Sequence, residues 1–281
     1  MPRPWVEIAA HPLFGPAARG LAANVLAAAD DNRQLAAVFK DAGHYITAMS
    51  AAYLDTRGGL TPTMLRQICA GTGLLTANRA GALLVFMTHI GVLETGDDKS
   101  YRTTPSFRQA WCAHLKGALH AAAMLEPALV AVLHRLDDPA TYQQFLALQA
   151  ARFYAMTHAP DPFRSLRAAF LHPLAGCSIL HALVLACTDD AFEPTDGAIV
   201  SLAALAQRFA VSQPHVRRVL KRAEAGRFVR HLGPSRRAFD PAGFAMIRYH
   251  YAELLAVLIA CGQQLLGETP TDLIDCPMST S

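Results

Sequence analysis

Cationic side chains are concentrated in one stretch near the carboxyl end of the chain. Between residues 201 and 240, nine Lys and Arg stand against two Asp and Glu, a net charge of +7, which leaves −4 for the rest of a chain whose total is +3. The outward positions of a helix beginning at residue 213 are polar or cationic: Gln213, His215, Arg217, Arg218, Lys221 and Arg222. Arg and Gln recognise base edges, and Lys and Arg neutralise phosphates, so this segment predicts DNA binding.

Two short helices and a hairpin are expected to position these side chains. Apolar residues recur at helical spacing in 202–209 and again in 216–223, and Ser201 and Ser212 are N-cap residues in front of the two runs. Val211 fills the turn between them, and a hairpin with strands at 227–232 and 237–239 follows. Arg230, Arg236 and Arg237 on this hairpin are predicted to reach the DNA backbone or the minor groove, while Ser212 and the first helical N–H groups suit a phosphate.

Residues 201–240 resemble the winged helix-turn-helix of bacterial transcription regulators, closest to the MarR type. The resemblance rests on the pattern Leu-x-x-Leu-Ala-x-x-Phe-x-Val-Ser at 202–212 and on the basic hairpin after it. It implies a non-enzymatic DNA-binding regulator that acts on double-stranded DNA. Since regulators of this type are dimers of subunits about half as long as this chain, the resemblance also implies a pseudo-dimer within one chain, and it leaves further homodimerisation open.

The order of elements is repeated along the chain, which predicts a divergent internal duplication. Thr76 and Ser212 correspond as helix caps, and Gly91 and Gly226 correspond as helix stops. Alanine-rich helical patterns dominate throughout. We therefore expect a mainly α protein with two tandem winged helix-turn-helix lobes, small β-hairpin wings and long joining helices. The predicted divisions are an N-terminal lobe at 1–113, a helical connector at 114–160, a C-terminal lobe at 161–266 and a flexible tail at 267–281.

The first lobe departs from the DNA-binding pattern. Its corresponding helix, Thr76–His89, is mostly apolar, and its wing carries Glu94, Asp97 and Asp98, which would repel phosphate. Its weaker candidates for DNA contact are Arg66, Thr76, Asn78, Arg79 and Arg102. Both outcomes stay open at this point: weak contact with DNA, or a scaffold.

Catalytic, metal and cofactor sites are not predicted. The chain has no nucleophile elbow, zincin helix, phosphate-loop lysine or paired-carboxylate motif, and no two of its six cysteines have C-x-x-C spacing. The apolar stretches 174–187 and 254–262 are shorter than the ~20 residues of a membrane span, and 1–5 lacks the pattern of a signal peptide. The expectation is a cytoplasmic protein without membrane contact.

Two other functions are alternatives to transcription regulation. A plasmid-type replication initiator would need two basic lobes, and a winged-helix interaction scaffold would show an apolar or acidic face on its second helix. The resemblance also raises a small-molecule effector. Aromatic and Met side chains of the central helices are either core, the favoured interpretation, or the lining of an effector cavity: Trp111, Met124, Tyr142, Phe145, Phe153, Tyr154 and Phe163.

Overall fold

The computed structural model describes residues 4–72, 76–96, 99–158 and 161–267. Within these ranges the chain is mainly helical and contains two small antiparallel sheets, which confirms the predicted fold class at that level. The predicted tail beyond residue 267 lies outside the described ranges, as do Asp97 and Asp98 of the first hairpin.

The first part of the chain contains a run of helices and one hairpin. Its elements are α1 Pro4–Ala9, α2 Phe14–Asp31, α3 Arg33–Val38, α4 Ala42–Leu54, a 3₁₀ turn Asp55–Arg57, α5 Pro62–Thr72, α6 Ala77–His89, β1 Leu93–Thr95, β2 Tyr101–Thr103 and α7 Pro105–Ala123. Thr76 caps α6 as predicted, since its hydroxyl accepts a hydrogen bond from the Arg79 N–H at 3.3 Å. Thr61 does the same at the start of α5.

The second part repeats that series after three connecting helices. Its elements are α8 Leu129–Arg135, α9 Pro139–His158, α10 Arg164–Leu166, a π-helical turn Arg167–Leu171, α11 Gly176–Cys187, β3 Ala198–Ile199, α12 Leu202–Arg208, α13 Gln213–Ala225, β4 Val229–Gly233, β5 Arg236–Phe239 and α14 Pro241–Leu266. Ser201 and Ser212 cap α12 and α13, as predicted.

Apolar residues recur at helical spacing through 35–54 and through 107–135, but each stretch is divided into two helices. The stretch 35–54 divides at Asp41, whose backbone is extended and whose carboxylate accepts a hydrogen bond from the His44 N–H at 3.0 Å, so it starts a new helix. The stretch 107–135 divides between α7 and α8. Pro127 lies in that gap, where it has no N–H to donate and disfavours helical backbone at Glu126.

The repeated order extends to the small sheets. In the second copy, β3 pairs with β5 just before α12. In the first copy, the single residue Leu60 makes the corresponding antiparallel bridge to Tyr101 of β2, just before α5. Each copy therefore runs from a strand contact through two short helices and a hairpin to a long helix.

A single hydrophobic core joins the two copies. The long helices α2, α7 and α14 pack on one another, and α9 and α11 complete this central layer. By length and hydropathy, α14 could cross a membrane, as could the bent pair Arg164–Leu171 and Gly176–Cys187. The prediction that the apolar stretch in α14 is too short therefore fails, because the helix has 26 residues; half of its apolar window is buried in the fold.

The residue that corresponds to Gly91 in the second copy is Arg227 and not Gly226, because Arg227 has the left-handed backbone that ends the helix. After α6, Gly91 has φ 75° and the Val92 N–H donates to the Met87 carbonyl; after α13, Arg227 has φ 58° and the Phe228 N–H donates to the Ala223 carbonyl. The left-handed position thus lies 15 residues after the cap in both copies.

We expect Arg227→Gly to raise the free energy of unfolding by about 0.5–1 kcal/mol, because glycine adopts left-handed backbone without a Cβ clash. The matched variant Gly91→Ala is expected to lower it by about 1 kcal/mol. Urea unfolding of both variants measures these shifts. A neutral or destabilising Arg227→Gly would contradict this account of the helix end.

Candidate functional site

The helix α13 is held by its apolar side. Val216, Val219, Leu220 and Ala223 are buried, and they lie on one face at helical spacing. They pack against α12 and against the π-helical turn. Because four positions on one side are buried, the positions on the other side must face solvent.

That solvent side carries the predicted polar residues. Gln213, Arg217, Arg218, Lys221 and Arg222 are all exposed, and we call this set the basic face. None of its four cations has a carboxylate oxygen within 4.0 Å among the described residues. The basic face therefore presents uncompensated positive charge to solvent.

His215 is placed differently from the rest of the predicted set. Its ring Nε2 donates to the Leu174 carbonyl at 2.7 Å, which ties the first turn of α13 to the chain before α11. A groove of about 260 Å³ runs beside it, lined by Pro173, His215, Arg218, Val219 and Arg222. His215 thus anchors the helix, and its Nε2 is already engaged within the fold.

On the hairpin β4–β5, the neighbouring residues Arg236 and Arg237 differ in exposure. Arg236 is exposed, and its guanidinium donates to the Asp196 carbonyl at 3.3 Å; Arg230 on β4 is exposed as well. Arg237 is 8% exposed and lies on the middle strand of the order β3-β5-β4. Its Nε is 3.1 Å from a carboxylate oxygen of Glu224. The structure therefore corrects the prediction for Arg237, because a side chain buried against its own fold does not reach a DNA groove.

One further cation of the basic segment is compensated. The guanidinium of Arg208 at the end of α12 makes two hydrogen bonds to Asp30, at 2.7 and 3.2 Å. This pair connects the helix-turn-helix to α2, and it removes Arg208 from the uncompensated charge.

The described residues of the first copy form no comparable face. On α6, Arg79 is paired with buried Asp41 at 2.7 Å, while Asn78 and Val85 are exposed, Val85 to 67%. The guanidinium of Arg66 folds back onto the Pro62 carbonyl and the Thr63 hydroxyl. Thr76 serves as the cap, and Arg102 is exposed on β2.

An interior cavity of about 200 Å³ lies between α2, α4, α7, α9, α11 and α14. Its walls are mainly aliphatic and aromatic, with Leu21, Ile46, Met49 and Leu258 among them. Of the aromatic residues that the sequence suggested for a cavity, Phe153 lines this one. Trp111, Phe145 and Phe163 are core residues, and the side chain of Tyr154 lies outside the described part.

Sequence reasoning missed the titratable groups in the cavity wall. Burial lowers the pKa of His114 and of His181 to about 4 and that of His250 to about 3. Burial raises the pKa of Glu253 to about 7, although the nearby Arg167 opposes that shift. The available signal was the pair His250 and Glu253 within the apolar helix α14.

Comparisons of the chain with protein-family models, with curated proteins and with solved structures give no match.

We expect Arg237→Ala to destabilise the fold by about 1–3 kcal/mol, because it leaves Glu224 without its cation and three carbonyl or carboxylate contacts unmade. Arg236→Ala removes the same charge from the adjacent exposed position and should change stability by less than about 0.5 kcal/mol. Thermal or urea unfolding compares the two. Equal effects would show that Arg237 is not held as described.

The buried histidines predict acid lability. Their folded pKa values of about 4, 4 and 3 lie below the ordinary 6.5, so stability falls as pH drops from 6.5 towards 4, by up to about 1.4 kcal/mol per pH unit for each ring. Glu253 acts in the opposite direction between pH 4.5 and about 7, because the folded state keeps its proton.

Urea unfolding across this pH range measures the combined slope. His114→Gln should reduce it by about one proton's contribution. An unchanged slope for His114→Gln would contradict the buried neutral state of that ring.

Proposed function

We propose that the chain is a DNA-binding transcription regulator, and that residues 198–240 form a winged helix-turn-helix whose α13 enters the major groove. The observation that carries this proposal is the basic face: cations on the side of α13 opposite to its buried side, with no acidic partner among the described residues. An α-helix fits the major groove, where Arg can pair with guanine and Gln with adenine.

The proposed DNA contacts are of two kinds, base contacts and phosphate contacts, according to where each side chain lies on α13 or the hairpin. Gln213 and Arg217 lie in the first two turns of α13, where they suit base edges; Lys221 and Arg222 lie in later turns and suit phosphates. Arg230 and Arg236 extend the positive surface onto the hairpin. Arg237 is left out of the contact set because it is buried and paired with Glu224. His215 is left out because it is only partly exposed and its Nε2 bonds the Leu174 carbonyl. Arg236 is kept because it is exposed, although it bonds the Asp196 carbonyl.

The difference between the two copies supports a single DNA-reading unit. A replication initiator would use two basic units, but the exposed side of α6 includes Asn78 and Val85, and Arg79 there is paired with Asp41. An interaction scaffold would expose an apolar or acidic side on α13, which is basic here. We therefore assign DNA binding to the second copy and a packing role to the first.

Binding to a duplex of mixed sequence should be strongly salt-dependent. Lys221→Ala should weaken it and reduce the slope of log K against log salt by about 0.9, the effect of one lost phosphate contact. Arg217→Ala should weaken binding to a preferred sequence more than binding to mixed duplex, since a base contact carries specificity. Fluorescence anisotropy titrations at several salt concentrations measure both effects.

Arg208→Ala is the matched control, because it removes one positive charge from the same segment at a position already paired with Asp30. It should change the salt slope far less than Lys221→Ala. Absence of duplex binding by the wild-type chain at low salt, or equal slopes for the two variants, would contradict the proposal.

A further inference from the structure

We propose that the interior cavity binds a small molecule with an apolar body and a protonated primary amine, and that Glu253 and His250 hold the ammonium group. This site is separate from the basic face. Ligand binding at this site does not require DNA, and it can be measured without DNA.

Unpartnered polar atoms in the cavity wall are able to accept hydrogen bonds from a ligand. Among the described residues, Glu253 Oε2, His250 Nδ1 and Gln149 Oε1 have no hydrogen-bond partner. The three side chains are only 5–7% exposed. A buried polar atom without a partner costs about 1–3 kcal/mol, which a ligand with hydrogen-bond donors would recover.

The position of these acceptors suits an ammonium group. Glu253 and His250 lie one helical turn apart on α14, with Oε2 and Nδ1 separated by 3.9 Å, and Gln149 lines the cavity from α9. An ammonium group has three donors and no acceptor, so it can satisfy several such atoms together. The described residues contain no group of three or more His, Cys, Asp or Glu side chains placed to hold a metal ion.

Charge balance around the cavity also favours a cation. Arg167 is shared between Asp161 at 3.2 Å and Glu253 at 3.7 Å, so one guanidinium faces two carboxylates. Asp41, the other acid in the wall, is already paired with Arg79. The wall histidines add no positive charge near neutral pH because burial lowers their pKa values. With Glu253 ionised, the site therefore lacks one positive charge.

The apolar part of the cavity wall determines which apolar group of the ligand fits. Away from Glu253 the lining is largely aliphatic, with contributions from Val25, Met49, Leu115, Val257 and Leu258. A volume of about 200 Å³ accommodates one ring or a short alkyl chain, since apolar cavities of about 150 Å³ accept benzene.

The test compares three probes that share one ring: benzylamine, benzyl alcohol and benzoate. Titration calorimetry on the full chain without DNA should show benzylamine binding at least about tenfold more tightly than the other two. Glu253→Gln should abolish that preference, while Asp190→Asn, which removes an acid at a fully exposed position, should preserve it. Preferential binding of benzoate, or equal binding of all three probes, would overturn the proposal.

A pH series on the wild-type chain tests the same carboxylate without a substitution. Benzylamine affinity should rise about tenfold from about pH 6 to about pH 8 as Glu253 ionises. The groups that face Glu253 are Arg167 and Asp161, His250 on the same helix, and His181 and His172 across the cavity. His181 and His250 stay neutral over this range because burial lowers their pKa values to about 4 and about 3; burial also lowers the pKa of His172. No binding of any probe at millimolar concentration would show that the cavity holds only water, and it would leave the DNA-binding proposal untouched.

Discussion

Burial of one side of α13 is the constraint from which the basic face follows. Val216, Val219, Leu220 and Ala223 occupy that side, and the helical period then directs the arginines of the same helix outward. The Ser212 cap determines where the helix begins and therefore its rotation relative to these side chains. A change at any of the four buried positions would alter the direction of the charged side chains as well as the stability.

Local signals were sufficient for much of this unit. The caps at Thr76, Ser201 and Ser212 could be predicted because a hydroxyl in front of an apolar run satisfies the first free N–H groups. Asp41 and Pro127 carried equally local signals for helix ends, yet the long apolar periodicity around them concealed the breaks. The burial of Arg237 could not be predicted from its neighbours in the sequence. It depends on β5 being the middle strand and on Glu224 lying beside it.

The cavity could not be predicted from sequence for a different reason. Its wall is assembled from six helices, and Tyr45, His114 and Glu253 are far apart in the chain. Aromatic residues in the central helices are mostly core because their size lets them fill the space between helices completely. The cavity wall differs from the core because polar side chains lie within its apolar helices. Only the packed structure shows that these side chains line the same cavity.

The turn between the π-helical segment and α11 connects the two sites physically. Leu171 and His172 face the cavity, and two residues later the Leu174 carbonyl accepts the hydrogen bond of His215 on α13. The turn is tightly packed: a Cβ at Gly176 would clash with the Phe170 carbonyl oxygen, and the Ala175 N–H donates to the Lys40 carbonyl at 2.6 Å. The same short turn therefore supplies part of the cavity wall and, through the His215 hydrogen bond, fixes the position of the first turn of α13.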